Sequence, residues 1–117
     1  MLKYEEATLY QNWYYKDLVR HRVGGPAYIS KERGVNCHES HFVGGVKHNL
    51  NAPAYSRVSV SGGKICDSYM VAGLYHRVDG PAYAEGDYYE WWINGVEYTE
   101  EDFNRIMKVK NAKAQEN

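Results

Sequence analysis

The sequence has little of what would assign it quickly. Of its 117 residues only two are cysteine, Cys37 and Cys66, too few for a disulfide scaffold. It has no surplus of either charge: 14 Lys and Arg stand against 15 Asp and Glu, a formal net charge of -1. A protein that coats DNA or RNA needs a cationic excess to displace counterions, and a DNA mimic needs the opposite, so neither polymer binding nor mimicry is expected. No apolar run approaches the roughly 20 residues of a membrane-spanning helix. The opening Met1-Leu2-Lys3-Tyr4-Glu5-Glu6 lacks the apolar stretch of a signal peptide. No membrane partner is expected, and a cytoplasmic location is. There is no Gly-x-Ser-x-Gly elbow and no Walker loop, so nucleophilic and phosphate-loop chemistry have no local support.

What is abundant is aromatic: 12 Tyr, 3 Trp and 2 Phe make up 15% of the chain, alongside 11 Gly. Aromatics favour strands and recognition surfaces. The chain also repeats. His21-Arg22-Val23-Gly24-Gly25-Pro26-Ala27-Tyr28 recurs as His48-Asn49-Leu50-Asn51-Ala52-Pro53-Ala54-Tyr55 and as His76-Arg77-Val78-Asp79-Gly80-Pro81-Ala82-Tyr83. All three prolines share one repeat position. Upstream, Gly44-Gly45-Val46-Lys47 aligns with Ala72-Gly73-Leu74-Tyr75 and Asn94-Gly95-Val96-Glu97, and Cys37 aligns with Cys66. A fixed period of this kind marks an array of supersecondary units.

Each unit reads as antiparallel strands. Tyr88-Tyr89-Glu90-Trp91-Trp92-Ile93 is rich in strand formers, and Asn94-Gly95 after it predicts a type I′ hairpin, whose two central residues need positive φ. Pro81 opens the next strand, where a missing N–H is tolerated. The expected fold is mainly β: an antiparallel meander of short hairpin repeats, about 27–28 residues each and roughly three strands per unit, over residues 8–98. Thr99-Glu100-Glu101-Asp102 then opens a helix over 100–113, with Phe103, Ile106, Met107 and Lys110 on one face as a cap on the last unit. Residues 114–117 are expected to fray. The whole is read as one repeat domain.

Trp92-Ile93-Asn94-Gly95 and His76-Arg77-Val78-Asp79-Gly80-Pro81-Ala82 resemble the short β-repeats written W-x-x-N-G-x-x-H-R-x-D-G-P-A, often grouped with MORN-variant repeats and familiar from phage and large-virus genomes. The resemblance covers roughly residues 13–104. It implies the hairpin array and no shared chemistry, and a phage-type origin makes interference with host defence a natural role by analogy. The second unit departs from the pattern, with Asn49 for Arg and Asn51-Ala52 for Asp-Gly.

Candidate site residues follow from the repeat. His21, His48 and His76 share one phase, with Arg22 and Arg77 beside two of them. They read either as a packing ladder or as an anion site in which an Arg fork grips phosphate. Alternation would put Leu50 and Val78 with the histidines on a buried face and turn Arg22 and Arg77 outward. Tyr28, Tyr55 and Tyr83, with Trp91 and Trp92, supply rings for stacking on a base. Cys37-His38-x-x-His41 with Cys66 offers softer metal ligands, but the spacing fits no standard zinc site and no metal or cofactor is expected. A single-layer meander cannot hide this many rings, so an exposed aromatic face and a homo-oligomer are expected. The leading functional reading is a non-catalytic binder that sequesters a small nucleotide-like anion. Two alternatives stand beside it: an inhibitor docking on a host protein through a Tyr-rich face, and a His-dependent nucleotide hydrolase.

Overall fold

The computed structural model describes residues 8–10, 13–16 and 19–115. Residues 116–117 of the tail expected to fray lie outside the described residues. The elements are β1 (Thr8–Tyr10), β2 (Trp13–Lys16), β3 (Val19–Arg20), β4 (Tyr28–Glu32), β5 (Val35–Ser40), β6 (Phe42–Val43) and β7 (Val46–Lys47). They continue with β8 (Tyr55–Val58), β9 (Lys64–Ser68), β10 (Met70–Val71), β11 (Leu74–Tyr75), β12 (Tyr83–Glu85), β13 (Tyr88–Ile93), β14 (Val96–Tyr98) and α1 (Glu100–Gln115). The fold is the expected antiparallel meander with one C-terminal helix, in the order β1-β2-β4-β5-β8-β9-β12-β13-β14.

Each complete unit has four strands, where the sequence suggested three. A long hairpin such as β8–β9 lies in the main sheet, and a short one such as β10–β11 follows it. The bend between them is held by the Tyr69 N–H donating to the Ala82 carbonyl, 2.6 Å, as His41 N–H does to Ala54, 2.7 Å. The short hairpins stand side by side and are stitched together by their glycines. Gly45 N–H donates to Arg20 O, Gly73 N–H to Lys47 O and Gly95 N–H to Tyr75 O, each at 2.9 Å.

The turn chemistry is as predicted. Asn94 and Gly95 have φ of 49° and 81°, and Ala72 and Gly73 have 52° and 82°. Gly73 is needed for a second reason: a Cβ there would lie 2.8 Å from Val46 Cγ1 of the preceding hairpin. Gly45 meets Val19 in the same way, so small turns let the hairpins nest.

The core is thin. Ala27, Ala54 and Ala82, which follow the three prolines, are fully buried. Cys37, Cys66, Ser40 and Ser68 join them, with Phe42 and Phe103 the only large rings buried among the described residues. The register explains the small residues. Tyr28, Ser40, Tyr55, Ser68, Tyr83 and Glu90 are consecutive cross-strand partners, so each serine lies between two tyrosines. The result is a slab 46 × 40 × 21 Å, with a radius of gyration of 16.4 Å. A compact domain of this length would have roughly 13 Å.

The helix caps the last unit, lying against β13 and β14 with Phe103 buried. Thr99 Oγ1 accepts from Asp102 N–H, 3.1 Å, and three acids occupy the positive first turn. It runs to Gln115, beyond the expected 113.

Candidate functional site

Each short hairpin presents one side chain per strand to either face. Phe42 pairs with Lys47, Met70 with Tyr75 and Trp92 with Glu97 on one side. Val43 pairs with Val46, Val71 with Leu74 and Ile93 with Val96 on the other. The row therefore has an aromatic, charged face and an aliphatic face.

The three histidines belong to the seams between hairpins. His21 Nδ1 accepts from Gly44 N–H at 2.9 Å, His48 Nδ1 from Ala72 N–H at 2.9 Å and His76 Nδ1 from Asn94 N–H at 3.0 Å. Each imidazole reaches across to the first turn residue of the next hairpin, whose amide its own turn leaves unpaired. An accepting Nδ1 places the ring proton on Nε2. The ladder reading of these residues thus has a specific content: they staple successive units.

Arg22 and Arg77 are also committed internally. Each guanidinium lies 4.0 Å from a ring centroid, Arg22 over Tyr14 and Arg77 over Tyr69. Each Nη1 donates to the carbonyl of the proline four residues on, at 3.2 Å. Arg77 Nε also meets the Asp79 carboxylate at 2.8 Å, which holds that carboxyl below its usual range. Both arginines are half-buried rather than turned outward.

The irregular second unit now has a physical explanation. A Cβ on Gly25 or Gly80 would lie 2.9 Å from the Cζ of Arg22 or Arg77. Asn49 is shorter, reaches the Pro53 carbonyl at 3.0 Å by Nδ2, and leaves room for Ala52 at the glycine position. His41 replaces the tyrosine beneath it. Burial lowers the pKa of His41, opposed by the Glu39 carboxylate, with Arg22 adding to the depression and a hydrogen bond with the Gly25 backbone opposing it.

Leu50 and its counterparts are exposed, correcting the expectation that they share a buried face with the histidines. Val23, Leu50 and Val78 are 53%, 61% and 48% exposed. They sit in bent loops, where strand alternation no longer applies. Two clefts open between consecutive loops. One of about 500 Å³ is lined by Arg22, Val23, His41, Val43, His48 and Leu50 among others. The second, about 210 Å³, includes Leu50, Tyr69, Val71, His76, Arg77 and Val78. They extend the aliphatic face, where Val19, Val46, Leu74 and Val96 are also exposed.

The predicted rings lie elsewhere. Tyr28, Tyr55 and Tyr83 are half-buried on the opposite, aromatic face of the sheet. Trp13 packs 4.6 Å from Tyr28, and Tyr83 packs against Tyr75 and Tyr88. Trp92 belongs to that face, 5.3 Å from Tyr75, whereas its neighbour Trp91 points the other way beside Tyr89. The structure thus separates the tyrosines from the His-Arg loops that the sequence grouped with them. Tyr88 and Tyr89 are the only exposed rings among the residues whose side chains are described, and the other exposed large apolar residues there are Val and Leu.

Cys37 and Cys66 are buried free thiols. Cys66 faces Arg57 in the ladder, whereas Cys37 is the extra residue of a bulge opposite Ser30 and Lys31. Among the described residues no group of three His, Cys, Asp or Glu is placed to hold a metal ion. No helix among them is long and apolar enough to cross a membrane. Comparison with protein-family models, with curated proteins and with solved structures finds no match.

Proposed function

We propose that this protein is a non-catalytic binding module that docks onto a protein partner through the aliphatic face of its hairpin row. One observation carries the reading. Val19, Val23, Val43, Val46, Leu50, Leu74, Val78 and Val96 are all more than a third exposed. The repeat spreads them across every unit. Large contiguous exposed apolar patches mark interaction surfaces. The repeated histidines favour binding over catalysis, because His21, His48 and His76 each spend Nδ1 on a backbone amide in a different seam.

The test is parallel affinity purification of wild type and a Leu50→Asp/Val78→Asp variant from the cell of origin. Both positions are exposed, so the circular dichroism spectrum should not change. Wild type should retain one protein in stoichiometric amount and the variant should lose it. Equal retention by both would overturn the reading.

A small nucleotide-like anion is a second reading, favoured by the larger cleft. There Arg22, His41, His48 and Asn49 converge beside apolar Val23 and Leu50. A planar anion could rest on the apolar wall with its charge toward Arg22. Heat denaturation of purified protein, then mass analysis of the supernatant, would release such a ligand intact.

A further inference from the structure

The aromatic face carries a cation in two units and lacks one in the third. Arg20, Lys47, Tyr75 and Glu97 occupy one repeat position. The Arg20 guanidinium lies 4.1 Å from the Trp13 ring centroid and 5.8 Å from that of Phe42. Lys47 Nζ lies 5.2 Å from the Tyr55 ring. Each of these clusters is thus closed by a positive charge over π faces, which attract it through the ring quadrupole.

In the third unit the position is Tyr75. It joins Tyr83, Tyr88 and Trp92 in a ring cluster with centroid separations of 5.3 to 6.3 Å. Carboxylates border it. Glu85 accepts from the Tyr83 hydroxyl. Glu90 accepts from the Tyr88 hydroxyl at 2.6 Å and from Trp92 Nε1 at 2.8 Å. Glu97 is the cross-strand neighbour of Trp92. Both phenols have raised pKa values, chiefly because they donate to these carboxylates, so the phenol protons are held on Tyr83 and Tyr88. The ion pairs formed among the described residues are Lys64–Asp67, Arg77–Asp79 and Arg105–Asp102, none of which reaches these glutamates. The cluster combines several π faces with three carboxylates that form no ion pair among the described residues.

We propose that the Tyr75–Tyr83–Tyr88–Trp92 cluster, with Glu85, Glu90 and Glu97, is a docking site for a guanidinium or ammonium side chain on a basic segment of a partner protein. Such a side chain would supply from outside the positive charge that Arg20 and Lys47 supply in the preceding units, where Tyr75 offers a further ring instead. Charge complementarity selects a basic occupant over a neutral or acidic one. The inference extends the protein-binding reading to the opposite face of the row and does not need the aliphatic face to work.

The probe is a blocked Gly-Arg-Gly-Arg-Gly peptide, titrated against the full chain by the NMR shift of the Trp92 indole N–H. Gly-Glu-Gly-Glu-Gly serves as control. The arginine peptide should bind and the glutamate peptide should not, with affinity falling as salt rises. Tyr75→Arg installs the missing internal cation, and binding should weaken at least tenfold. Glu90→Gln should weaken it about fivefold. Circular dichroism confirms that each variant is folded, and should Tyr75→Arg fail to fold, Glu97→Gln replaces it with the same expected loss. The Leu50→Asp/Val78→Asp variant should bind the peptide normally, which separates failure here from failure of the aliphatic docking surface. No arginine-selective shift, or equal affinity for wild type and Tyr75→Arg, would overturn the proposal. So would a concentration-dependent shift of the Trp92 indole N–H that tracks dimer formation in sedimentation, which would put a second copy of the chain on the cluster.

Discussion

At the scale of single residues, the repeat is a set of matched substitutions. Arg77 and Gly80 belong together because the guanidinium fills the space a Cβ would need. Gly80→Ala should therefore displace a side chain clamped by Tyr69, Asp79 and the Pro81 carbonyl, and cost about 1–2 kcal/mol. In an Arg77→Asn background, which copies the second unit, the same change should be nearly neutral. A double-mutant cycle read by urea unfolding should then give a coupling of at least about 0.5 kcal/mol. Additive costs would mean that the clash is relieved elsewhere. Ala72 offers a gain instead. It holds φ at 52°, where the two equivalent turns use Gly44 and Asn94. The left-handed region costs an ordinary L-residue roughly 1–2 kcal/mol. Ala72→Gly keeps the N–H that His48 accepts and should raise stability by about 1 kcal/mol, seen as a higher Tm.

At the scale of the element, the seams decide behaviour. His76→Leu removes the acceptor for Asn94 N–H and should cost about 1 kcal/mol, with faster hydrogen exchange at that amide. His76→Asn, whose Oδ1 can accept in place of Nδ1, should restore much of the protection. His41 gives the second unit a pH dependence. Its pKa in the fold lies below the ordinary 6.5, mainly through burial. Below that value the unfolded chain binds a proton that the folded chain resists, so stability should fall as pH drops from 6.5 towards the folded value. His41→Tyr, the residue of the neighbouring units, should flatten the profile over that window. An unchanged slope would assign it to another group.

These elements also show what was legible in the sequence. The hairpins were, because Asn94-Gly95 and the three in-phase prolines depend on local chemistry alone. The helix was, because its cap and apolar stripe are equally local. The fourth strand of each unit was not: the chain bends at Ser40-His41 and Ser68-Tyr69 without glycine or proline, held by carbonyls from the next unit. The exposure of Leu50 was also hidden, since a two-residue alternation fails once the backbone leaves the strand. The candidate site residues were grouped by phase, but phase does not give direction. His, Arg and Tyr therefore read as one pocket, whereas the tyrosines lie on the other side of the sheet.

At the scale of the whole molecule, stability is a sum over units and the seams between them. No large side chain among the described residues is fully buried, so no single residue locks the array. This makes the second unit removable. Deleting residues 41–68 joins Ser40 to Tyr69, which preserves the repeat phase. Ser40 would then pair with Tyr83 instead of Tyr55, keeping the alternation of tyrosine and serine across the sheet. His21 would meet Ala72 N–H where it now meets Gly44, and Arg20 O would meet Gly73 N–H where it now meets Gly45. The shortened chain should fold cooperatively, keep its β circular-dichroism spectrum and melt at a lower temperature, having lost one unit and one seam. A deletion one residue longer, 41–69, shifts every following side chain to the other face and should not fold. Equal failure of both deletions would mean that the units depend on one another beyond nearest neighbours.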